Sequence, residues 1–281
     1  GLWVDEVGPP LDCTDLFIQA GVSTGLPYNT DFNGPVQEGI GRYQVNVRNG
    51  RRQTSATAFL KAALQRANLE LQTHALAETL LLDGERVTGV QYRQKGKVLR
   101  VAARKSVILC GGAINSPQLL ELSGIGNPDV LGPLGIAARH ALPGVGENLQ
   151  DHLTVNVQQG LRNLKTFAEE TAPLGLLHNL LRYALKREGL LIHPACQAGA
   201  FFRTSADVSR PNAQIHFTPA AGRLNARGNL TTIPGTTATV CNLRPTSRGS
   251  VHVRTPFPDY PPAIRANYLA TDADKRAMID A

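Results

Sequence analysis

The stretch Ser106–Gly126, SVILCGGAINSPQLLELSGIG, decides how the rest of the chain is read. Its first five residues, Ser106–Cys110, are apolar on both faces, the pattern of a buried parallel strand. Cys110 ends that run and reads as a buried small hydrophobe rather than a nucleophile. Gly111, Gly112 and Ala113 follow with almost no side-chain bulk, so the backbone can turn sharply and lie close to whatever faces it. Ser116 suits a helix cap, and Pro117 suits the first helical position, where a missing N–H costs nothing. Leu119, Leu120 and Leu122 supply an apolar helix face, and Gly124 and Gly126 stop it. A strand, a glycine turn and a helix in that order make a crevice at the carboxyl end of an open α/β sheet, where such sheets bind ligands. Alone, the small residues of the turn serve strand–helix packing equally well.

Upstream, residues 76–103 read as a three-stranded meander. Leu76–Leu82, Val87–Arg93 and Val98–Ala103 are separated by Asp83-Gly84 and Lys95-Gly96, both turn signals. Leu69–Thr73 is a further short strand-like run. Before it, Thr54 or Ser55 can cap a helix carrying Phe59, Ala62, Ala63 and Ala67 at helical spacing. The first fifty residues are irregular. Leu2–Val7 reads as a short strand, Asp15–Ala20 as a helix ended by Gly21, and Tyr43–Val47 as a strand before Asn49-Gly50. Residues 25–41 form a turn-rich loop of the length used for lids and binding loops.

Downstream, composition shifts at Pro143-Gly144-Val145-Gly146. Leu153–Gly160, Ala198–Arg203, Gln214–Pro219, Thr237–Arg244 and Gly249–Arg254 read as strands of an antiparallel sheet. Leu174, Leu177, Leu180, Leu181, Ala184 and Leu185 share one helix face, with Arg182, Lys186 and Arg187 opposite and Gly189 as the stop. Such a helix packs on a core or, alternatively, lies on a membrane surface. The fold class is therefore α/β plus α+β.

With 281 residues the chain makes one large domain or two smaller ones. Hydrophobic residues at 42% and charged residues at 18% exclude a disordered charged tail and a coiled coil. The net charge of +7 comes from scattered pairs such as Arg51-Arg52 and Lys275-Arg276. That reads as a solvated surface, with no nucleic-acid motif. No apolar run reaches the roughly 18 residues a membrane span needs. Cys13, Cys110, Cys196 and Cys241 are far apart and form no metal-ligand spacing, which fits reduced thiols in the cytoplasm and no metal. There is no phosphate-binding P-loop, no H-E-x-x-H, no G-x-S-x-G, and no G-x-G-x-x-G between a strand and a helix. Residue 1 is Gly and the one methionine is Met278, which reads as an internal piece or a trimmed product.

Four segments taken together are more specific than any of them. Gly112–Gly126 (GAINSPQLLELSGIG) resembles the second signature of the glucose–methanol–choline (GMC) oxidoreductases. Pro143–Leu153 (PGVGENLQDHL), Asn49–Leu60 (NGRRQTSATAFL) and Ser247–Leu269 (SRGSVHVRTPFPDYPPAIRANYL) resemble other stretches of that family, in the same order. The nearest branch is similar to the choline dehydrogenase-like alcohol dehydrogenases.

The resemblance implies an FAD flavoprotein in which part of a Rossmann-like FAD-binding domain is interleaved with an antiparallel-sheet substrate domain. Residues 1–50 would be a substrate-domain or lid segment, 51–153 part of the FAD-binding domain, and 154–281 the substrate-binding domain. Ala77 stands where the family usually has a Val whose backbone meets the adenine. Gly111, Gly112 and Ala113 would bring the main chain against the FAD. His216 is a candidate for the substrate pocket, and His152 reads as structural. The family's dinucleotide fingerprint falls before the point matching Gly1, and its catalytic His after the point matching Ala281. No catalytic residue is therefore assigned within the chain, and the piece alone is expected to be inactive. The complete enzyme would oxidise an alcohol to a carbonyl by hydride transfer to the flavin, passing electrons to oxygen or a quinone-like acceptor. GMC-fold hydroxynitrile lyases, a photodecarboxylase and a non-catalytic fragment are the alternatives.

Overall fold

Residues 1–6, 8–224 and 230–281 are described by a computed structural model. Chain contacts separate it into two units. One comprises residues 1–69, 152–244 and 275–281, the other residues 70–151 and 245–274. The segments 1–50, 51–153 and 154–281 do not coincide with these units. Residues 51–69 fall in the first and 245–274 in the second.

The first unit is built on a five-stranded sheet. Its order is Gly39–Arg42, Ala198–Phe202, Ala213–Thr218, Gly235–Asn242, Thr154–Gly160, with every neighbouring pair antiparallel. Alternation along these strands sends Ala198, Ala200 and Phe217 to one face. There they are buried with Ile18 and Ile40. Phe17 stacks on Phe217 at 4.2 Å between ring centroids. The helix supplying Phe17 and Ile18 spans Asp12–Ser23 and runs straight through Gly21. Gly21 is therefore not a stop. A side chain there would collide with Ile40, so the glycine serves close helix–strand packing.

Several local expectations are corrected. Of the strand expected at Leu2–Val7, only Asp5 among the described residues bridges, to Val45, and Val7 lies outside the described residues. The strand expected at Tyr43–Val47 is displaced, with Gly39–Arg42 joining the large sheet and Val47–Arg48 pairing with Arg51–Arg52 around Asn49-Gly50. The capped helix is a π-helical turn, Ala56–Leu60, followed by one α turn, Lys61–Ala63. Leu69–Thr73 forms no strand.

The leucine-rich helix spans Pro173–Lys186 and ends at Arg187 in a left-handed conformation. It does not bury its leucines. Leu174 is 83% and Leu185 81% exposed, while the inward contact is made by Asn179, which is 2% exposed. Asn179 Nδ2 donates to Glu170 Oε2 at 2.7 Å, and its Oδ1 accepts from Leu190 N at 3.1 Å. Four part-buried polar contacts by one side chain outweigh the apolar pattern in setting this helix's rotation.

In the second unit the meander is present as Ala75–Asp83, Arg86–Gln94 and Lys97–Ala102. Leu80, Ile125 and Val145 form its buried core, with Val107, Leu109, Leu119 and Leu120 packed against them. Ser106–Cys110 is not a strand, because no described segment pairs with its backbone. Val107 and Leu109 turn to the core, leaving Ile108 80% exposed. Cys110 is exposed too, not buried. Ser250–His252 pairs with Ala263–Arg265 in this unit rather than joining the large sheet. Among the described residues no helix is long and apolar enough to cross a membrane.

Candidate functional site

The glycine turn leads directly into a helix, Gly112–Leu122, one turn earlier than Ser116 would cap it. Gly112 sits at φ 72°, a left-handed conformation that side chains with a Cβ resist. Gly111 is needed for another reason. An added Cβ would stand 3.0 Å from Ser116 N and 3.1 Å from Asn115. Pro117 consequently lies inside the helix. It has no N–H, so the carbonyl of Ala113 loses its helical donor at the turn.

Beside this turn, within the second unit, lies a cavity of about 600 Å³. Leu76, Ala77 and Val90 of the meander form one side, Val107–Gly111 a second, and Ile114, Leu119 and Leu122 of the helix a third. Residues Pro258–Pro262 form the remaining wall, which Gln118 ties to the helix by donating from Nε2 to Tyr260 O at 2.9 Å. At Ala77 the meander carries a β-bulge. Ala77 is paired with Tyr92 and Thr79 with Gln91, so Glu78 is the extra residue. Arg93 holds the bulge by donating from Nε to Glu78 at 2.8 Å and from its Nη2 to Asp259 at 2.5 Å. The cavity is thus mostly apolar, with main chain exposed at a bulge and at a glycine turn, the usual make-up of a small-molecule site.

Of the four residues expected at a cofactor, Ala77 and Gly111 line this cavity. Gly112 and Ala113 adjoin it in the chain, are exposed, and are not lining residues. His216 lies in the first unit, on Ala213–Thr218. Its Nδ1 is 3.2 Å from Tyr43 Oη, which also accepts from Gln214 Nε2 at 2.9 Å. Burial pushes the His216 imidazole pKa down, with His152 adding to the effect. Burial also raises the Tyr43 phenol above its ordinary value. His152 Nε2 lies 3.2 Å from Leu243 O. Among the described residues no cluster of three His, Cys, Asp or Glu could hold a metal.

One constellation had no signal in the sequence. Glu121, on the helix after the glycine turn, is fully buried. Its Oε1 is 2.7 Å from His252 Nδ1, and its Oε2 accepts from Val253 N at 2.8 Å. His252 Nε2 in turn is 2.9 Å from Glu147 Oε1. The three residues are over a hundred positions apart at the extremes, and nothing in their local context pairs them.

Residues 5–154 match the profile of the GMC oxidoreductase family. The chain belongs to this family. Among curated relatives of this GMC chain, an oxygen-dependent choline dehydrogenase of Staphylococcus xylosus is 40% identical over 265 residues, covering 94% of the chain and 47% of that protein. An alcohol dehydrogenase [acceptor] of Pseudomonas putida is 39% identical over 267 residues, covering 94% and 48%. Pyridoxine 4-oxidase from Mesorbium loti superposes with a TM-score of 0.81 at 27% identity, over 99% of the GMC chain and 52% of the oxidase. The chain spans about half the length of the curated relatives it matches.

Proposed function

We propose that this GMC chain supplies part of an FAD-dependent enzyme that oxidises an alcohol to a carbonyl. The observation that carries the reading is the apolar cavity where the bulged Ala77 and the Gly111 turn meet. A dinucleotide needs close main-chain approach over a flat surface, and small residues at both places permit it. Ala77, Gly111, Gly112 and Ala113 would hold the cofactor, and bound there FAD would supply the hydride acceptor. Gln118 and the Arg93–Asp259 pair fix the far wall, and most of the lining is apolar. Residues 51–153 are assigned to the FAD-binding part, with Pro258–Pro262 contributing a wall to it, and residues 1–50 and the rest of 154–281, His216 included, to the substrate side. The substrate is a small alcohol, as the names of both curated relatives favour, and the electron acceptor is oxygen or a quinone-like molecule. A cytoplasmic location is assigned with it.

The cavity's titratable lining residues are Cys110, Asp259 and Tyr260, with no histidine among them. Its proposed role is to bind the cofactor, and the chain alone is expected to leave bound flavin oxidised. Alkylation of Cys110, the one exposed thiol, reads the first point, and flavin absorbance reads the second. FAD is expected to slow alkylation of Cys110 markedly, and a primary alcohol is expected not to bleach the bound flavin. Unchanged alkylation at saturating FAD would defeat the binding assignment. Robust bleaching would defeat the expectation that the chain alone is inactive.

A further inference from the structure

The second unit contains another cavity, of about 400 Å³, between the meander strand Ala75–Asp83 and the end of the helix Gly112–Leu122. Two arginines line it, Arg100 and Arg139, and both are exposed. Thr79, Gln91 and Arg100 are paired in register across the three strands, so their side chains stand in one row on one face of the sheet. Gln91 Oε1 accepts from Arg100 Nε at 3.2 Å, which steadies the guanidinium through its inner nitrogen and leaves the outer two for a ligand. Arg139 comes from the opposite wall. Its N donates to Gly124 O at 2.8 Å, and a side chain at Gly124 would stand 3.1 Å from Arg139 Cγ. The glycine thus lets the arginine stem lie across the helix end.

Among the described residues neither guanidinium makes an ion pair, and none of those lining the cavity is acidic. Glu78 accepts from Gln91 Nε2 at 3.4 Å, but it does not line the cavity and is paired with Arg93 at 2.8 Å. The helix end does not need the arginines either. The carbonyls of Leu119, Leu120 and Glu121 already accept from Ser123 N and Gly124 N. Two positive charges therefore border one space with nothing to neutralise them. A carboxylate would match one of them. A phosphate monoester carries about −1.5 to −2 at neutral pH, and its three outer oxygens accept guanidinium N–H groups in pairs. Leu81, Leu122 and Ile136 add an apolar wall. We infer that this cavity binds a phosphate monoester with a small apolar body, its phosphate held between Arg100 and Arg139. The inference does not rest on the flavin assignment, since the cavity shares only Leu122 with the one assigned to FAD.

Isothermal titration of the chain with phenyl phosphate, benzoate and benzyl alcohol tests this, alongside NMR of the arginine Nε–H groups. Phenyl phosphate is expected to bind best and to shift the Nε–H resonances of Arg100 and Arg139. Arg100→Gln and Arg139→Gln should each weaken it about tenfold or more. Lys97→Gln removes the same charge from the same strand but outside the cavity, and should leave binding unchanged. Phenyl phosphate should also leave alkylation of Cys110 at its usual rate, which separates this site from the flavin cavity. Absence of phenyl phosphate binding, or equal binding of benzoate or benzyl alcohol, would overturn the inference. So would an equal loss in Lys97→Gln, or protection of Cys110 by phenyl phosphate. Should an arginine variant fail to fold, the wild-type Nε–H shifts still decide it.

Discussion

Removing the imidazole of His252 tests how the helix after the glycine turn is held. In His252→Ala the fully buried Glu121 keeps one partner, the Val253 amide, and loses its imidazole partner. Breaking a buried pair by deleting one member costs about 3–5 kcal/mol. The lower end applies, near about 3 kcal/mol, because His252 retains 19% of its side-chain surface. Glu147 is half exposed, so Glu147→Gln should cost at most about 1 kcal/mol. Replacing both His252 and Glu121 with leucine should be milder than His252→Leu alone, since no buried charge is left unpaired. The pH dependence has a definite sign. Burial pulls the His252 pKa down, but hydrogen bonds to Glu121 and Glu147 push it further up, and the net is a raised value. A raised folded pKa means the stabilisation is fully present below about pH 6.5 and fades as pH climbs through the folded value. Urea unfolding followed by circular dichroism across that range, with amide exchange in Gly112–Leu122, measures both effects. A His252→Ala variant within about 0.5 kcal/mol of wild type, with the same pH slope, would refute the reasoning.

Two further outcomes follow from local geometry. Gly199→Ala should destabilise the first unit by about 1–3 kcal/mol by thermal denaturation, because its Cβ would collide with the Tyr43 hydroxyl and stand 2.7 Å from Ile215 O. Asp274 is 3% exposed and accepts from Thr246 N at 2.7 Å and Ser247 N at 2.8 Å. Burial pushes its pKa up, but the hydrogen bonds from Ser247 and Thr246 prevail and lower it to about 2. Its contribution is thus complete above pH 3.8 and lost as pH falls through about 2. Asp274→Asn should cost about 1.5–3 kcal/mol at neutral pH and flatten the acid limb of the stability curve.

Much of the second unit could be read from the chain itself. The Asp83-Gly84 and Lys95-Gly96 turns and the β-branched runs between them specify a meander by local rules, and the meander is there. The GMC assignment was equally legible, because it rests on the order of four motifs rather than on any contact. Ser106–Cys110 was misread because an apolar run reports only that side chains want burial. Whether the run is a strand depends on a backbone partner elsewhere. The leucine helix failed in the same way. Its periodicity located the helix, but the rotation was settled by Asn179, whose polar contacts come from Glu170, Gly175 and Leu190.

What the amino-acid order determined by itself was therefore local: turns, helix positions, a glycine corner and the family signature. Tertiary structure alone decided which side chains meet. It set Glu121 against His252, joined Gly39–Arg42 to a sheet made mostly of residues 154–242, and fixed the Gln197 amide with its donor end unpartnered. The physical reason is that hydrogen bonding and charge pairing act over a few ångströms of space regardless of separation along the chain. Propensity and periodicity report only the neighbours a residue has in sequence.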